Sequence, residues 1–166
     1  MQLFVLNTTT PLGNFCMLMD EHNVVHASGF GTPLKLKDRL GKAYKDVRVV
    51  PYIGIHEYTR SLEKYFAGEK DALKNIKKQQ SGSVLQRKVW LQIEKIKWGK
   101  TESYKFMASR VGYPRAMRAV GSACGANALV LLVPCHRVLR TDGGPGGYAF
   151  GVQLKRRLLE MERGGA

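Results

Sequence analysis

Hydrophobic and polar positions change period several times along this chain. Within residues 1–30, short β-rich runs alternate with turn signals. Leu3-Phe4-Val5-Leu6 ends at Asn7 and a Thr run, and Pro11-Leu12-Gly13 punctuates. Phe15 to Met19 and Val24 to Ala27 read as two more strands, which predicts a small antiparallel meander. Residues 33–48 carry Lys and Leu at mixed spacing and read as a weak helix. From Glu57 the pattern turns helical: Leu62, Tyr65 and Phe66 stand at i, i+3 and i+4, and Gly68 stops the run. Residues 69–82 are rich in Lys, Gln, Ser and Gly and read as a surface connection, with Lys74, Lys77 and Lys78 on a solvated face.

The second half is mostly helical in pattern. Val84, Leu85, Val89, Trp90, Ile93 and Ile96 fit one helix, which Gly99 should stop. Thr101 offers an N-cap for a next helix holding Tyr104, Met107, Ala108 and Val111. Gly112-Tyr113-Pro114 breaks the chain, and Pro114 suits the first turn of a helix running to about Cys124. Two helices joined by a short Gly-containing turn fit either a helix-turn-helix or a plain αα-corner. Arg115 and Arg118, three apart, with the small Ala116 and Ala119, favour the former, since a backbone can then approach a groove while two cations reach out. The apolar run 128–133 predicts a buried strand ended by Pro134. A Gly-rich loop over 142–147 and a basic amphipathic helix over 153–163 follow. The class predicted is mixed α/β, with an N-terminal α/β domain over 1–80 and a mostly helical C-terminal domain over 81–166.

Composition narrows the function classes. Forty-four per cent hydrophobic residues supply enough apolar surface to exclude wholesale disorder. No run approaches the roughly 20 apolar residues of a membrane helix, and no basic segment precedes the first apolar run, so a cytoplasmic protein (nuclear in a eukaryote) is expected. Three cysteines are too few for a disulfide scaffold. His22 and His26 stand four apart, but their neighbours favour strand and turn over a helical metal site. A net charge of +14 on 166 residues points to an anionic partner, nucleic acid ahead of a membrane surface.

Cys135 stands out by its setting. It follows Pro134 at the end of a buried run and precedes His136 and Arg137. A free thiol near pKa 8.5 is only a few per cent thiolate at about pH 7, and a shift below about 6 raises the reactive fraction roughly thirtyfold. A neighbouring cation or helix N-terminus can supply that shift. The alternative is an inert buried cysteine. Cys16 and Cys124 lack such neighbours and read as core. Successive side chains of an extended segment point to opposite faces, so Cys135 and His136 can communicate only across a turn or through a water.

Val133-Pro134-Cys135-His136-Arg137-Val138 resembles the active-site motif of the O6-alkylguanine-DNA alkyltransferases. Gln86-Arg87-Lys88-Val89-Trp90, Ser103-Tyr104, Arg118-Ala119-Val120-Gly121 and Asn127 extend the resemblance upstream. Gly147-Tyr148 and the stretch from Lys155 through Leu158-Leu159 to Glu162 extend it downstream. Thr10-Pro11-Leu12-Gly13 and Tyr65-Phe66-Ala67-Gly68 carry a weaker likeness in the first half.

The resemblance implies a DNA repair protein that flips an O6-alkylguanine from duplex DNA and moves the alkyl group irreversibly to Cys135, with O4-alkylthymine as a second candidate substrate. It implies that His136 acts as base through a water, that Glu162 orients His136, and that Asn127 supports the turn. Tyr104, Arg115, Ala116, Arg118 and Ala119 would meet DNA, Arg118 by filling the gap left by the base. Val138, Tyr148 and Ala149 would line the base pocket. No cofactor or metal is implied, the chain would act as a monomer, and each molecule would act once.

The sequence departs from the family pattern in places. Ala128 stands where Pro is common, Ile96-Lys97-Trp98-Gly99 replaces Ile-Pro-Tyr-Gly, Met117 is bulky for its place, and Phe150 replaces a frequent Gly beside the pocket. Glu162 also admits a plainer reading, a surface ion pair with Arg156, Arg157 or Arg163. Rival functions are a lesion-sensing or regulatory DNA-binding module and a thiol hydrolase. Stoichiometric consumption of Cys135 separates them.

Overall fold

A computed structural model describes residues 1–164 and shows a mixed α/β chain that divides into two compact units. The first comprises residues 1–80 and 128–132, the second residues 81–127 and 133–166.

In the first unit, β1 (Gln2–Thr10), β2 (Gly13–Met19) and β3 (Val25–Gly29) form the expected antiparallel meander. A fourth strand, β4 (Arg48–Pro51), extends it by pairing parallel with β1, so the spatial order is β3-β2-β1-β4. The reading of 33–48 as one weak helix needs correction. Only Pro33–Asp38 (α1) is α-helical, capped by the Thr32 hydroxyl, and a short 3₁₀ turn at Lys42–Tyr44 follows. α2 (Glu57–Phe66) forms where its apolar spacing placed it and buries Tyr58, Leu62 and Tyr65. Its N-cap is His56, whose Nδ1 accepts from the Tyr58 N–H at 3.1 Å. Loop 67–80 is more than a surface connection. Ile76 is buried, and the backbone of Val25 bonds to Lys77 and Gln79.

The apolar run 128–133 is not a regular strand. It makes an isolated bridge, Ser28 to Leu129, and the Ser28 hydroxyl donates to the Val130 carbonyl at 2.7 Å. Leu131 then adopts φ 71°, a conformation that breaks any ladder.

In the second unit, α3 (Val84–Glu94) begins with a capping box between Ser83 and Gln86 and ends before Gly99 is reached. Its Trp90 is buried and donates from Nε1 to the Ala123 carbonyl at 2.8 Å. β5 (Glu102–Ser103) leads into α4 (Tyr104–Arg110), whose N-cap is Ser103 rather than Thr101. α5 (Met117–Ala126) starts three residues after Pro114, with Ala116 as its N-cap. β6 (Val138–Leu139) pairs parallel with β5, and α6 (Val152–Glu162) closes the described unit. The β5–β6 pair fixes the first turn of α4 beside the segment that follows Cys135.

Candidate active site

Cys135 sits on a sharply constrained turn. Pro134 has φ −78° and ψ 64°, and the Cys135 N–H donates to the Val133 carbonyl at 2.8 Å. This is an inverse γ-turn, and the proline ring fixes its φ in advance. Residues 135–137 continue as one 3₁₀ turn. The buried Asn127, at the C-cap of α5, donates from its side chain to the same Val133 carbonyl at 2.9 Å. Two donors therefore hold one carbonyl immediately before the cysteine.

The turn sends His136 and Arg137 into the unit's interior, where both meet Glu162 at the end of α6. Arg137 donates to both Glu162 oxygens, each at 2.8 Å, and a further guanidinium N–H reaches the Ile96 carbonyl at 2.6 Å. His136 Nε2 lies 3.0 Å from Glu162 Oε2, in ion-pair range though off the line of a good hydrogen bond. Glu162 is therefore not a carboxylate at the surface. It is 4% exposed and serves residues 136 and 137. Burial alone would raise its pKa. The hydrogen bonds from Arg137, with the adjoining His136, outweigh that and hold it down to about 2. Burial depresses the His136 pKa, against the pull of Glu162, so the ring is neutral. With a carboxylate beside Nε2, the proton belongs on that nitrogen, and Nδ1 carries a lone pair. Among the described residues Nδ1 has no hydrogen-bond partner.

Cys135 is 7% exposed and opens onto a cavity of about 430 Å³. Tyr104, Gly121, Cys124, Gly125, Gly147, Tyr148 and Ala149 complete the lining. Tyr148 and Ala149 thus share this cavity with Cys135. Val138 does not line the cavity: it is wholly buried, and its carbonyl accepts from Lys155. Cys124, read from sequence as core, is a half-buried wall of this cavity instead. Burial, followed by the charge of Cys135, pushes its thiol up to about 12, so it stays protonated. Tyr104 is likewise pushed up to about 12, chiefly by burial, and remains a neutral phenol.

Lys155 is a site residue that sequence reasoning missed. It is fully buried, donates from Nζ to the Val138 carbonyl at 2.7 Å and to the Gly147 carbonyl at 3.2 Å, and lies 5.8 Å from the centre of the Tyr104 ring. Burial pulls its pKa down, and the negative charges available to Cys135 and Cys124 oppose that pull. By reciprocity, the Lys155 ammonium favours a thiolate at Cys135. Lys155 also pins the glycine loop: Gly146 has φ 68°, and a Cβ there would stand 2.7 Å from Tyr104 Oη.

Next to this cavity, Tyr104, Met117, Arg118, Gly121, Arg140, Thr141 and Asp142 line an open groove of about 410 Å³. Arg118 is exposed on the first turn of α5, Ala119 is half-buried one residue on, and Arg115 is exposed in the turn between α4 and α5. Ala116 caps α5. The structure brings Tyr104 into both hollows and Arg118 only into the outer one.

Comparison with known proteins identifies relatives of this chain. Residues 84–164 match the family model for the DNA-binding domain of 6-O-methylguanine DNA methyltransferase. A probable methylated-DNA–protein-cysteine methyltransferase of Acanthamoeba polyphaga mimivirus is 44% identical over 102 residues, 61% of this chain and 68% of the viral one. The chain belongs to the methylated-DNA–protein-cysteine methyltransferase family. A member from Debaryomyces hansenii is 50% identical over 82 residues, which span 49% of this chain and 43% of the yeast protein. Among solved structures of the family's fold, the Mycobacterium tuberculosis O6-methylguanine methyltransferase aligns with a TM-score of 0.79 at 28% identity, covering 99% of this chain and 94% of that one. The M. tuberculosis protein OGT in complex with DNA aligns with a TM-score of 0.81 at 29% identity and the same coverage. Among the described residues no group of three or more His, Cys, Asp or Glu gathers as metal ligands, and no helix is long and apolar enough to cross a membrane.

Proposed function

We propose that this methyltransferase repairs duplex DNA directly, taking the alkyl group of O6-alkylguanine onto Cys135 in a single irreversible turnover. The observation that carries the reading is the composition of one cavity: an acceptor thiol at its floor, a buried lysine behind it, and an aromatic and small-residue wall of base-accommodating size. The alkylated oxygen lies within the base stack, so the nucleotide must leave the duplex, at a cost of a few kcal/mol. Arg118, exposed on α5, offsets part of that by occupying the gap. Tyr104 crowds the target phosphate. α4, the intervening turn and α5 act as a DNA-binding helix-turn-helix in the minor groove. Arg115, Ala116 and Ala119 lie on its approach, and the groove's degenerate pattern suits a search for damage in any sequence.

The chemistry needs no cofactor. His136, neutral and held by Glu162, takes the thiol proton at Nδ1 through a water. Lys155 stabilises the thiolate, whose sulfur attacks the alkyl carbon. The carbon–oxygen bond breaks, its electron pair stays on the guanine oxygen, and proton transfer to the base restores guanine. The thioether has no route back, because water does not break an alkyl carbon–sulfur bond at neutral pH. Asn127 keeps the turn in register by holding the Val133 carbonyl. The protein acts as a monomer on double-stranded DNA in the cytoplasm, or in the nucleus of a eukaryote. Residues 81–166 are the alkyltransferase domain and residues 1–80 a separate α/β domain, except that 128–132 pack with the latter.

The test is a titration of methyl-labelled O6-methylguanine duplex. One methyl per chain followed by a plateau, and none for Cys135→Ser, supports the reading. Continuing turnover, or label on the Ser variant, overturns it.

A further inference from the structure

The groove at Arg118 leaves much of the second unit's charge unused. That unit holds fifteen Lys and Arg against five Asp and Glu, so +10 of the net +14 lies there. A separate hollow of about 290 Å³ opens between α3 and the end of α4, lined by Lys88, Leu91, Gln92, Lys95, Arg110 and Val111. Along α3 and its C-cap, residues 88, 91, 92 and 95 follow the i, i+3, i+4, i+7 spacing of one helix face. The hollow therefore has one wall from each helix.

Three features make this more than a solvated face. Its lining holds three cations and no acid. None of the three forms an ion pair among the described residues. Two are poised over exposed aromatic rings: Lys88 Nζ lies 5.6 Å from the Tyr113 centroid, and the Arg110 guanidinium 5.9 Å from that of Phe106. Such stacking holds a cation at the surface with its donors outward. Tyr113 belongs to the turn between α4 and α5 that also carries Arg115. The Lys88–Tyr113 contact thus ties the rim of the hollow to the turn between α4 and α5.

We propose that Lys88, Lys95 and Arg110 form a second phosphate track, which grips the sugar-phosphate backbone of duplex DNA flanking the damaged nucleotide. The inference rests on the DNA-repair reading and adds a site to it. Each phosphate neutralised releases condensed counterion and steepens the salt dependence of binding by about 0.9 in log–log slope. Because the track meets only backbone, it adds affinity without regard to sequence or damage.

The experiment compares three full-length chains: wild type, the triple variant Lys88→Gln/Lys95→Gln/Arg110→Gln, and a control with the same charge loss on exposed residues of the first unit, Lys64→Gln/Lys70→Gln/Lys74→Gln. Binding to intact and O6-methylguanine duplexes is measured across a salt series, with melting temperature as the check on folding. The groove variant should show a slope shallower by about 2 to 3 and an equal fractional loss of affinity for both duplexes, while the control keeps the wild-type slope. An unchanged groove-variant slope overturns the track, as does an equal change in the control, which would reduce the effect to net charge. So does loss confined to damaged DNA. An unchanged slope together with lost binding of an acidic protein would reassign the hollow to that partner. Wild-type chain that takes methyl onto Cys135 while the groove variant keeps its slope fails this inference alone. Wild-type chain that neither binds DNA nor gains methyl fails the underlying reading.

Discussion

Replacing Glu162 by Gln tests the buried ion cluster behind the cysteine. Glu162 accepts two hydrogen bonds from Arg137 and stands 3.0 Å from His136, and the carboxylate is 4% exposed. The variant leaves the Arg137 guanidinium buried without a counter-charge, a change that typically costs about 3–5 kcal/mol. A second route gives a similar size. The Glu162 pKa falls from 4.5 to about 2, and at about 1.4 kcal/mol per unit this amounts to about 3 kcal/mol. The sign follows from the depressed value. The contribution is fully present above pH 4.5 and is lost as pH falls toward 2, because the unfolded chain takes up the proton first. Urea unfolding of both proteins from about pH 7 downward is the assay. The gap should be about 3 kcal/mol at neutral pH and should close progressively below about pH 4.5. Because Glu162 also raises the pKa of the buried His136, both chains carry His136→Gln in the acid series, so that the difference isolates the carboxylate beside Arg137. A variant as stable as wild type at neutral pH would refute the reasoning. So would a gap that stays constant into acid.

Other consequences are equally direct. Asn127→Ala removes one of two donors from the buried Val133 carbonyl; it should cost about 1–3 kcal/mol in chemical unfolding and slow methyl transfer at saturating DNA. Gly146→Ala should destabilise by about 1–3 kcal/mol, since its Cβ would collide with Tyr104 Oη from a left-handed backbone, and calorimetry measures it. His56→Ala should cost about 1 kcal/mol at neutral pH by uncapping α2; burial depresses the His56 pKa, so that deficit should shrink as pH falls below about 6.5 and wild type loses the same cap, as urea titrations at two pH values would show. Alkylated protein should melt below the free form, because added carbon overfills the site by about 1–3 kcal/mol; an unchanged or higher melting temperature contradicts this.

Periodicity was a good guide where one face is buried and the other wet. The spacing of Leu62, Tyr65 and Phe66 placed α2, and alternating β-rich runs placed β1 to β3. β4 escaped notice because an edge strand of Arg-Val-Val-Pro is too short to show alternation. The run 128–133 looked like a strand because nothing in a leucine announces φ 71°. Both serine and threonine serve as helix N-caps, so residue type alone does not separate Thr101 from Ser103, and in the fold Ser103 is the cap. At the candidate site, the Pro-Cys-His-Arg string marked the turn. What it could not show is which cations are internal. Lys155 and Arg137 are indistinguishable in sequence from solvated neighbours such as Arg156, and only the fold sends them to the Val138 carbonyl and to Glu162. Cys124 was misjudged for a related reason: its helix position reveals a buried face but not a cavity in that face.

The central claim is that Cys135 is the alkyl acceptor. Protein is mixed with duplex DNA bearing a single O6-methylguanine and digested, and the cysteine-containing peptides are fragmented in the mass spectrometer so that Cys124 and Cys135, with no Lys or Arg between them, are read apart. The account predicts one added methyl on Cys135, none on Cys16 or Cys124, and guanine restored in the DNA. DNA binding with no gain in mass, or methyl found on Cys124, would contradict it.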